Sequence, residues 1–596
     1  MQRVAETKSK ITLFLLLLMI VVGLAFQSRY PTWHYIYLAT VPLLVIFLTQ
    51  SIEKIEWPKA VFLGLVIIVG LVMPVFFSKM PIMSLSWSYF LLVGGLLWLT
   101  LDNNFSHWIF RTLVIFCLVD VFYAFYQMLF LGHTRPDGFF MDPNVRAVYL
   151  LGSVLYVYQH TAFSIQPQVR RGGYTLLLVL LSGFHATQSR AIFALAVVAM
   201  MIVLLYYILN DRKNWHAFFM LVGISVLAFC LYFALYQFVP SNGLRIFNIP
   251  QGPDVRWEMW RVGWDMIKQY PVFGSGFFSF LYTYPSVRTE LLTSGHFLHN
   301  DFLEYWLASG FPGLFLTVTP VLFFLFQLIK AFRYKNHGTL IYSGIGLLFL
   351  GFAFFNYFFW RVENLIVLGA VWRLSESESM LSHRLVVNWK WKFIVVIIVL
   401  LPLLTVVAKL NENVILSRGI QTNEDMHLWS DAVAGNESIL LAPRSRWYFN
   451  NAVSGQDGEI DYGNFAYLIS QLDAEIVRGT LYPEIYCARS EIGYLLNEDR
   501  INLETFFKKG LKLDPRSIYC HYAKFNVDVA YGDTGAALEN LKLFFSQRLS
   551  IQNVDNIIAL ARVGNETAFN AGEFDYVEFF SKYIKQVEQK QESLKF

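Results

Sequence analysis

The sequence predicts an all-α protein: a polytopic transmembrane helical bundle of about 12–13 spans with a large outer-face loop, followed by a soluble α-helical repeat domain. Three observations predict it. Apolar runs of about 17–25 residues recur from Ile11 to about Ala408, each long enough to cross a hydrocarbon core of about 30 Å as a helix. From Lys409 to Phe596 the composition becomes that of a soluble domain, and residues 480–585 carry a weak helical repeat. The chain is 56% hydrophobic and only 15% charged, whereas a soluble protein carries about a quarter charged residues. In hydrocarbon only helices or closed barrels satisfy their own backbone, and these runs are continuous rather than alternating, so they read as helices. The net charge of +4 reflects basic loops and does not point to nucleic acid.

The expected spans are 11–27, 33–50, 60–77, 84–101, 107–131, 145–163, 173–185, 190–210, 216–238, 311–331, 339–360, 363–374 and 392–408. A cleavable signal peptide competes for residues 1–30, but Ile11–Phe26 is long for one and no small-residue cleavage pattern follows. It reads as the first anchor. Lys and Arg in short loops mark the cytoplasmic side. Arg3, Lys8 and Lys10 place the N-terminus there, and Lys54 and Lys59, Arg170 and Arg171, Arg212 and Lys213, Arg333 and Lys335, and Arg384, Lys390 and Lys392 fall on the same side. Loops 132–144, 186–189, 239–310 and 361–362 then face outward, as does everything after residue 408.

Two segments depart from plain anchors. The apolar run Tyr174–Leu209 is too long for one crossing and is interrupted at His185-Ala-Thr-Gln-Ser-Arg190, as two helices meeting at the outer surface would be. Asn364–Leu374 makes only about 16 Å of helix, half a bilayer. Short or broken helices are tolerated where they line a cavity. Asp120, between Val119 and Val121, is an intramembrane acid, which is by default a functional candidate or a hydrogen-bonding partner for a neighbouring helix.

Residues 1–408 therefore form the membrane domain, 409–480 a connector with less regular structure, and 481–596 the repeat domain. In the last, Pro483-Glu-Ile-Tyr-Cys opens one helix pair and Leu513-Asp-Pro-Arg-Ser-Ile-Tyr-Cys the next, about one tetratricopeptide period later. A third pair spans Val554–Ile584. Such repeats bury one face against a neighbour and present another to a partner, although a plain helical cap fits the same pattern. Cys487 and Cys520 could pair in an oxidising compartment; Cys117 and Cys230 lie in membrane runs. Asn436-Glu-Ser and Asn565-Glu-Thr match the N-glycosylation sequon by chance.

The outward loop 239–310 holds most of the informative residues: Arg256-Trp-Glu-Met-Trp-Arg261, then Tyr270-Pro-Val-Phe-Gly-Ser-Gly276, then Gly295-His-Phe-Leu-His299-Asn-Asp-Phe-Leu-Glu304, ending at Gly310-Phe-Pro-Gly313. His299-Asn, nine residues, then Gly-x-x-Gly resembles the signature of the O-antigen ligase and polymerase superfamily, which includes O-antigen ligases, Wzy-type polymerases and protein O-oligosaccharyltransferases. Pro136-Asp-Gly-Phe-Phe-Met-Asp142-Pro143-Asn144 is similar to the family's outer loop before a membrane helix, Thr187-Gln-Ser-Arg190 to its Ser-Arg element, and Arg256 through Gly276 to its Arg…Trp…Pro-x-x-Gly-x-Gly stretch. The resemblance covers roughly residues 80–375 and leaves the tail outside. Leu314 departs from the small or polar residue more usual after that glycine in ligases.

The resemblance implies a bacterial inner-membrane glycosyltransferase, inverting and metal-independent, with a cytoplasmic N-terminus, a periplasmic C-terminal domain and no cofactor. It would move glycan from an undecaprenyl-diphosphate donor to lipid A core, another lipid-linked glycan or a protein, and the tail could recruit a protein partner. The residue types suit that chemistry. Arginine matches a departing diphosphate because its fork of donors is planar and permanently charged. Arg190, Arg256 and Arg261 are the expected clamp, with Arg146, Arg288 and Asn144 as further substrate contacts. Headgroup snorkelling for Arg190, and ion pairs with Glu258 or Asp265 for Arg256 and Arg261, are the plainer readings. His299 is the expected general base, since imidazole accepts a proton near neutral pH; helix capping is its structural alternative. His296 orients His299 or touches the acceptor; with Asp301 and Glu304 it could instead hold a metal. The aromatic residues Trp257, Trp260, Trp264, Phe277, Phe278, Tyr282 and Tyr284 could stack on sugars, but an interfacial belt accounts for them better. A flippase or polysaccharide exporter is the rival from another class. It would show an internal repeat and charge near the midplane, whereas these charges cluster toward one face.

Overall fold

The computed structural model describes residues 54–238, 255–287, 297–376, 384–386, 402–415, 441–453, 462–546 and 554–594, apart from single residues and short stretches inside those ranges. The expected spans 11–27 and 33–50, most of 392–408, and His296 and Arg288 lie outside the described residues. The chain divides into two units: 1–73, 87–253 and 299–403 in the first, and 74–86, 254–298 and 404–596 in the second.

Among its described residues the membrane unit is built of helices and one two-stranded ribbon. Its elements, with 74–76 of α2 and 81–86 of α3 falling in the second unit, are α1 (Trp57–Ile67), which passes through a π-helical turn into α2 (Met73–Phe76), α3 (Pro81–Thr100), α4 (Asn103–Phe130), α5 (Pro143–Ala162), α6 (Pro167–Ala186), α7 (Arg190–Asn210) and α8 (Trp215–Tyr236). After residues assigned to the other unit come α11 (Asp301–Tyr334), α12 (His337–Phe355) and α13 (Val362–Ser375). Every expected span within the described residues is helical. Six of these helices are long and apolar enough to cross a membrane, so the chain is a multi-pass membrane protein. Helices α5 and α6 fall short of that apolarity because they carry Asn144, Arg146, Gln159 and His160, or Arg170 and Arg171. The short α13 is buried along nearly its whole length and packs on α4 and α12, so neighbouring helices supply the environment a full span would take from lipid.

The strand Lys54–Glu56 pairs antiparallel with Arg384–Val386, with Ile55 opposite Leu385. The ribbon joins two loops that the basic-residue pattern assigns to one side of the membrane.

The second unit contains α9 (Val255–Gln269), α10 (Ser279–Val287) and the tail helices: α14 (Leu441–Val453), α15 (Tyr462–Arg478), α16 (Pro483–Leu495), α17 (Arg500–Leu513), α18 (Ile518–Ala530), α19 (Thr534–Ser546), α20 (Val554–Ala571) and α21 (Phe574–Leu594). The last six pair as hairpins, α16 with α17, α18 with α19 and α20 with α21. Their apolar faces meet in continuous clusters, such as Leu538, Leu541, Phe544 and Phe545 with Ala561 and Phe580. Cys487 and Cys520 form a disulfide between the first helices of successive hairpins, with Cα atoms 5.2 Å apart. Helices α14 and α15 occupy the second half of the stretch expected to be irregular. Leu441, Tyr448, Leu468 and Leu472 pack there on Ile485 and Ile492 of α16. The Gly, Asn and Asp residues that suggested a connector lie mostly in the sequence flanking these helices, outside the described residues.

Candidate functional site

Sequence-distant segments converge at one end of the membrane unit. The loop before α5 and the turn before α7 meet at Asn144: its Oδ1 accepts from Ser189 Oγ at 2.8 Å and from an Arg135 Nη at 3.0 Å. Arg135 Nε also donates to the Thr187 carbonyl at 2.8 Å, so one planar fork spans both segments. Asp142 caps the start of α5, accepting from Asn144 N at 2.7 Å, and its other oxygen lies 3.5 Å from Asn356 Nδ2 at the end of α12. The loop from residue 356 then reaches Asp301. That fully buried carboxylate accepts from the backbone N–H of Phe358 at 2.5 Å and of Phe359 at 2.8 Å. Asn364 completes the set, accepting from Tyr149 Oη and donating to the Phe358 carbonyl at 2.9 Å.

This network sets the position of His299. The helix cap is Asn300, whose Oδ1 accepts from Leu303 N at 3.2 Å, so His299 stands just outside the helix rather than capping it. Its φ is +51°, in the left-handed region that non-glycine residues visit rarely. Such conformations persist only where the surroundings impose them, and they gather at functional sites. Asn300 as cap and Asp301 as anchor supply that constraint. Gln188, in the Thr187–Arg190 turn, has φ +49° and donates to Tyr232 Oη at 3.0 Å.

The expected break at Gly310–Gly313 is present. Gly310 adopts φ +63°, ψ −148°, a conformation essentially restricted to glycine, and α11 kinks there. A Cβ on Gly313 would lie 1.9 Å from the Tyr305 carbonyl, so the second glycine is required by close approach. Together they divide a short buried helix, 301–309, from the long apolar span that follows.

The expected substrate contacts fare differently. Arg190 is the first residue of α7, half-exposed and adjacent to the Asn144–Ser189 contact. Arg146 is fully buried, and its Nε lies 2.5 Å from Asp120 Oδ2, also fully buried. Its guanidinium further donates to the Pro136 carbonyl at 3.3 Å, while Asp120 accepts from Phe139 N at 2.6 Å. Arg146 and Asp120 therefore pin the loop to α4, and the Arg146 charge is paired with Asp120. Arg256 and Arg261 lie on α9 in the other unit. Five helical positions separate them by about 140°, and Arg256 is half-buried while Arg261 is exposed, so they do not share a face. Trp260 Nε1 donates to the Leu298 carbonyl at 2.8 Å, tying α9 to the residue before His299.

Arg135 was not singled out from sequence; its place beside the Pro136–Asn144 stretch was the available signal. In the same loop burial pushes the Asp137 carboxyl above its ordinary range, partly offset by Arg135 and His133. Among the described residues no three His, Cys, Asp or Glu side chains converge as metal ligands. Asp301, offered as one, is occupied by two backbone donors.

The family model for O-antigen ligases (Wzy_C) matches residues 175–318, from within α6 into α11, a stretch that includes Ser189, Arg190, Arg256, Arg261 and His299. Asn144 and Arg135 lie outside the matched stretch, although the structure joins them to it. The match supports a membrane-bound glycan transferase of ligase or polymerase type. No curated protein matches the chain.

Proposed function

We propose that this chain transfers glycan from a polyprenyl-diphosphate donor to an acceptor hydroxyl at the outer face of a bacterial inner membrane, with inversion and without a metal. The observation that carries the reading is His299, held in a left-handed backbone immediately ahead of a capped, anchored helix inside the ligase-like segment. The His299 imidazole takes the proton from the acceptor hydroxyl. The freed oxygen attacks the anomeric carbon from the face opposite the diphosphate, the glycosidic C–O bond breaks, and the electron pair leaves with the diphosphate. Arg190 binds that leaving group, and charge stabilisation there is the larger contribution. Asn144, fixed by Ser189 and Arg135, orients the segment that carries Arg190. The disulfide in the tail supports an oxidising compartment for that domain. The hairpins suit recruitment of an acceptor or partner protein, which favours protein glycosylation over lipid A core as the acceptor reaction.

The test is transfer of a radiolabelled undecaprenyl-diphosphate oligosaccharide by purified protein to lipid A core, lipid-linked glycan and protein acceptors. His299→Ala and Arg190→Ala are each expected to lower transfer about a hundredfold or more, with no effect of chelator. The labelled acceptor distinguishes ligase, polymerase and protein glycosylation. Absence of any labelled acceptor, together with movement of lipid-linked glycan across proteoliposome membranes that needs the same residues, would make the protein a transporter instead.

A further inference from the structure

Helix α9 has one face against protein and one face open. Met259, Val262, Met266 and Ile267 are buried, and a Cβ on Gly263 would lie 2.4 Å from Leu298. On the opposite side Trp257, Arg261, Trp264 and Lys268 follow one another at spacings of four, three and four, which places them within about 60° of arc. Trp257 is 66% and Trp264 42% exposed. Asp265 flanks this stripe and lies 3.1 Å from Lys268, so Arg261 is its less compensated cation.

The C-terminal end of α9 is anchored beside the end of a membrane segment. Phe273 stacks on Phe77 with centroids 4.4 Å apart and planes 6° from parallel, and Phe77 directly follows the apolar helical segment Val61–Phe76. Ser84 Oγ donates to the Phe277 carbonyl at 3.2 Å and shares a 2.7 Å hydrogen bond with Ser78, which holds the turn after α9 against residues 78–84. Val272 and Phe273 remain exposed there, as does Phe76. The helix that carries the aromatic–cationic stripe is thus followed by exposed apolar side chains held beside Phe77, at the end of an apolar segment. Tryptophan prefers the water–hydrocarbon boundary, and Arg and Lys bind lipid phosphates there while their stems stay apolar.

We propose that α9 is an interfacial helix seated in the headgroup layer of the outer leaflet, Trp257 and Trp264 entering the boundary and Arg261 and Lys268 contacting phospholipid phosphates. Arg261 then serves membrane seating rather than donor binding, and α9 holds the Leu298 carbonyl, one residue before His299, at a defined depth through Trp260.

The experiment reads depth, so it is independent of transfer. Full-length protein in nanodiscs of phosphatidylethanolamine and phosphatidylglycerol carries a single spin label at Trp257→Cys or Trp264→Cys in a Cys230→Ser background. Leu322→Cys, exposed on an apolar span, and Ile501→Cys, exposed on the tail, calibrate it. Collisions with a water-soluble nickel chelate are expected to fall about fivefold or more at 257 and 264 relative to 501, with oxygen collisions rising toward the value at 322. Nickel collisions equal to those at 501 overturn the proposal, as does protection that appears only when oligosaccharide is added, which would make the stripe a sugar-binding surface. Arg261→Glu with Lys268→Glu is expected to raise nickel collisions at 264 about twofold; no change there overturns the phosphate contacts.

Discussion

The polar network at one end of the membrane unit and the hairpins of the tail both bury polar groups, and they do so by different means. In the membrane unit the ion pair Asp120–Arg146 is completely enclosed, and other polar side chains bond to backbone, Asp301 to two N–H groups and Asn300 and Asp142 at helix starts, or to one another, as Asn144 does to Ser189 and Arg135. In the tail, charges pair at partial exposure: Arg489 with Asp473 of another helix and with Glu498 in a turn, Arg500 with Asp528 of another helix and with Asp533 in a turn, and Lys524 with Glu504 of another helix and with Asp528 one turn along its own. Arg446, set against the rings of Tyr519 and Tyr522 and bonded to Glu491, is an enclosed charge in the tail. The difference follows from solvent. A polar group facing hydrocarbon has no water to fall back on, so each must be answered in full. A tail pair shares its charges with water, and apolar packing carries the stability.

The contrast is tested most strongly by charge deletion. Arg146→Ala leaves a buried carboxylate unanswered and is expected to cost about 3–5 kcal/mol, read as loss of folded yield and a large fall in apparent Tm in detergent; Asp120→Leu in the same chain should recover most of it. Arg500→Ala in the tail is expected to cost less than about 1 kcal/mol. Equal losses would break the comparison. Next in size is the covalent tie. Replacing Cys487 and Cys520 by Ser is expected to destabilise the tail by about 2–4 kcal/mol, seen as faster hydrogen exchange in residues 483–530 with the membrane helices unchanged.

Two glycines sharpen the comparison further. Gly138 has φ +66°, and a Cβ there would lie 2.1 Å from Asp120 Oδ1; Gly572 has φ +75° with nothing within 4 Å. Gly138→Ala therefore adds a clash with the ion pair to the backbone strain and is expected to cost about 2–4 kcal/mol, against about 1 kcal/mol for Gly572→Ala. Thermal melting of the two variants measures the difference. The smallest expected effect is one of pH. Burial raises the half-buried Glu484 carboxyl from its ordinary value to about 7, with Asp514 adding to the shift and Ser517 opposing it. Between its ordinary value and about 7 the folded tail binds more protons than the unfolded one, so this stabilising contribution is complete at low pH and is lost as pH rises through 7. Glu484→Gln should flatten that part of the tail's stability profile relative to the parent; an unchanged slope would remove Glu484 as its source.

Much of the architecture was legible because it rests on local chemistry. Runs of apolar residues define spans wherever water is excluded. The polar interruption at His185–Arg190 ends α6 and starts α7 where expected, and Gly310 with Gly313 breaks α11 as their spacing implied. The tail hairpins follow from apolar positions recurring at three and four residues. Helices α14 and α15 were not legible because their flanking Gly, Asn and Asp residues resemble a linker, and only packing on α16 reveals a core. Within the candidate site, residue type singles out His299 and Arg190 as candidates, but not what each neighbour does. Residue type alone does not reveal that Asp301 holds the 358–359 backbone or that Arg146 pairs with Asp120.

By itself, then, the sequence determined which segments are apolar enough to become helices in lipid, where glycines must break them, and which residue types could manage a proton and a diphosphate. Those properties depend on composition and on neighbours within a turn or two of helix. The tertiary structure alone decided that Asn144, Thr187 and Ser189 meet through Arg135, that Asn356 approaches Asp142, and that His299 is held left-handed outside a helix capped by its neighbour. Hydrogen bonds form only over about 3 Å, and contacts between residues tens to hundreds of positions apart are set by how whole helices pack rather than by any pattern along the chain.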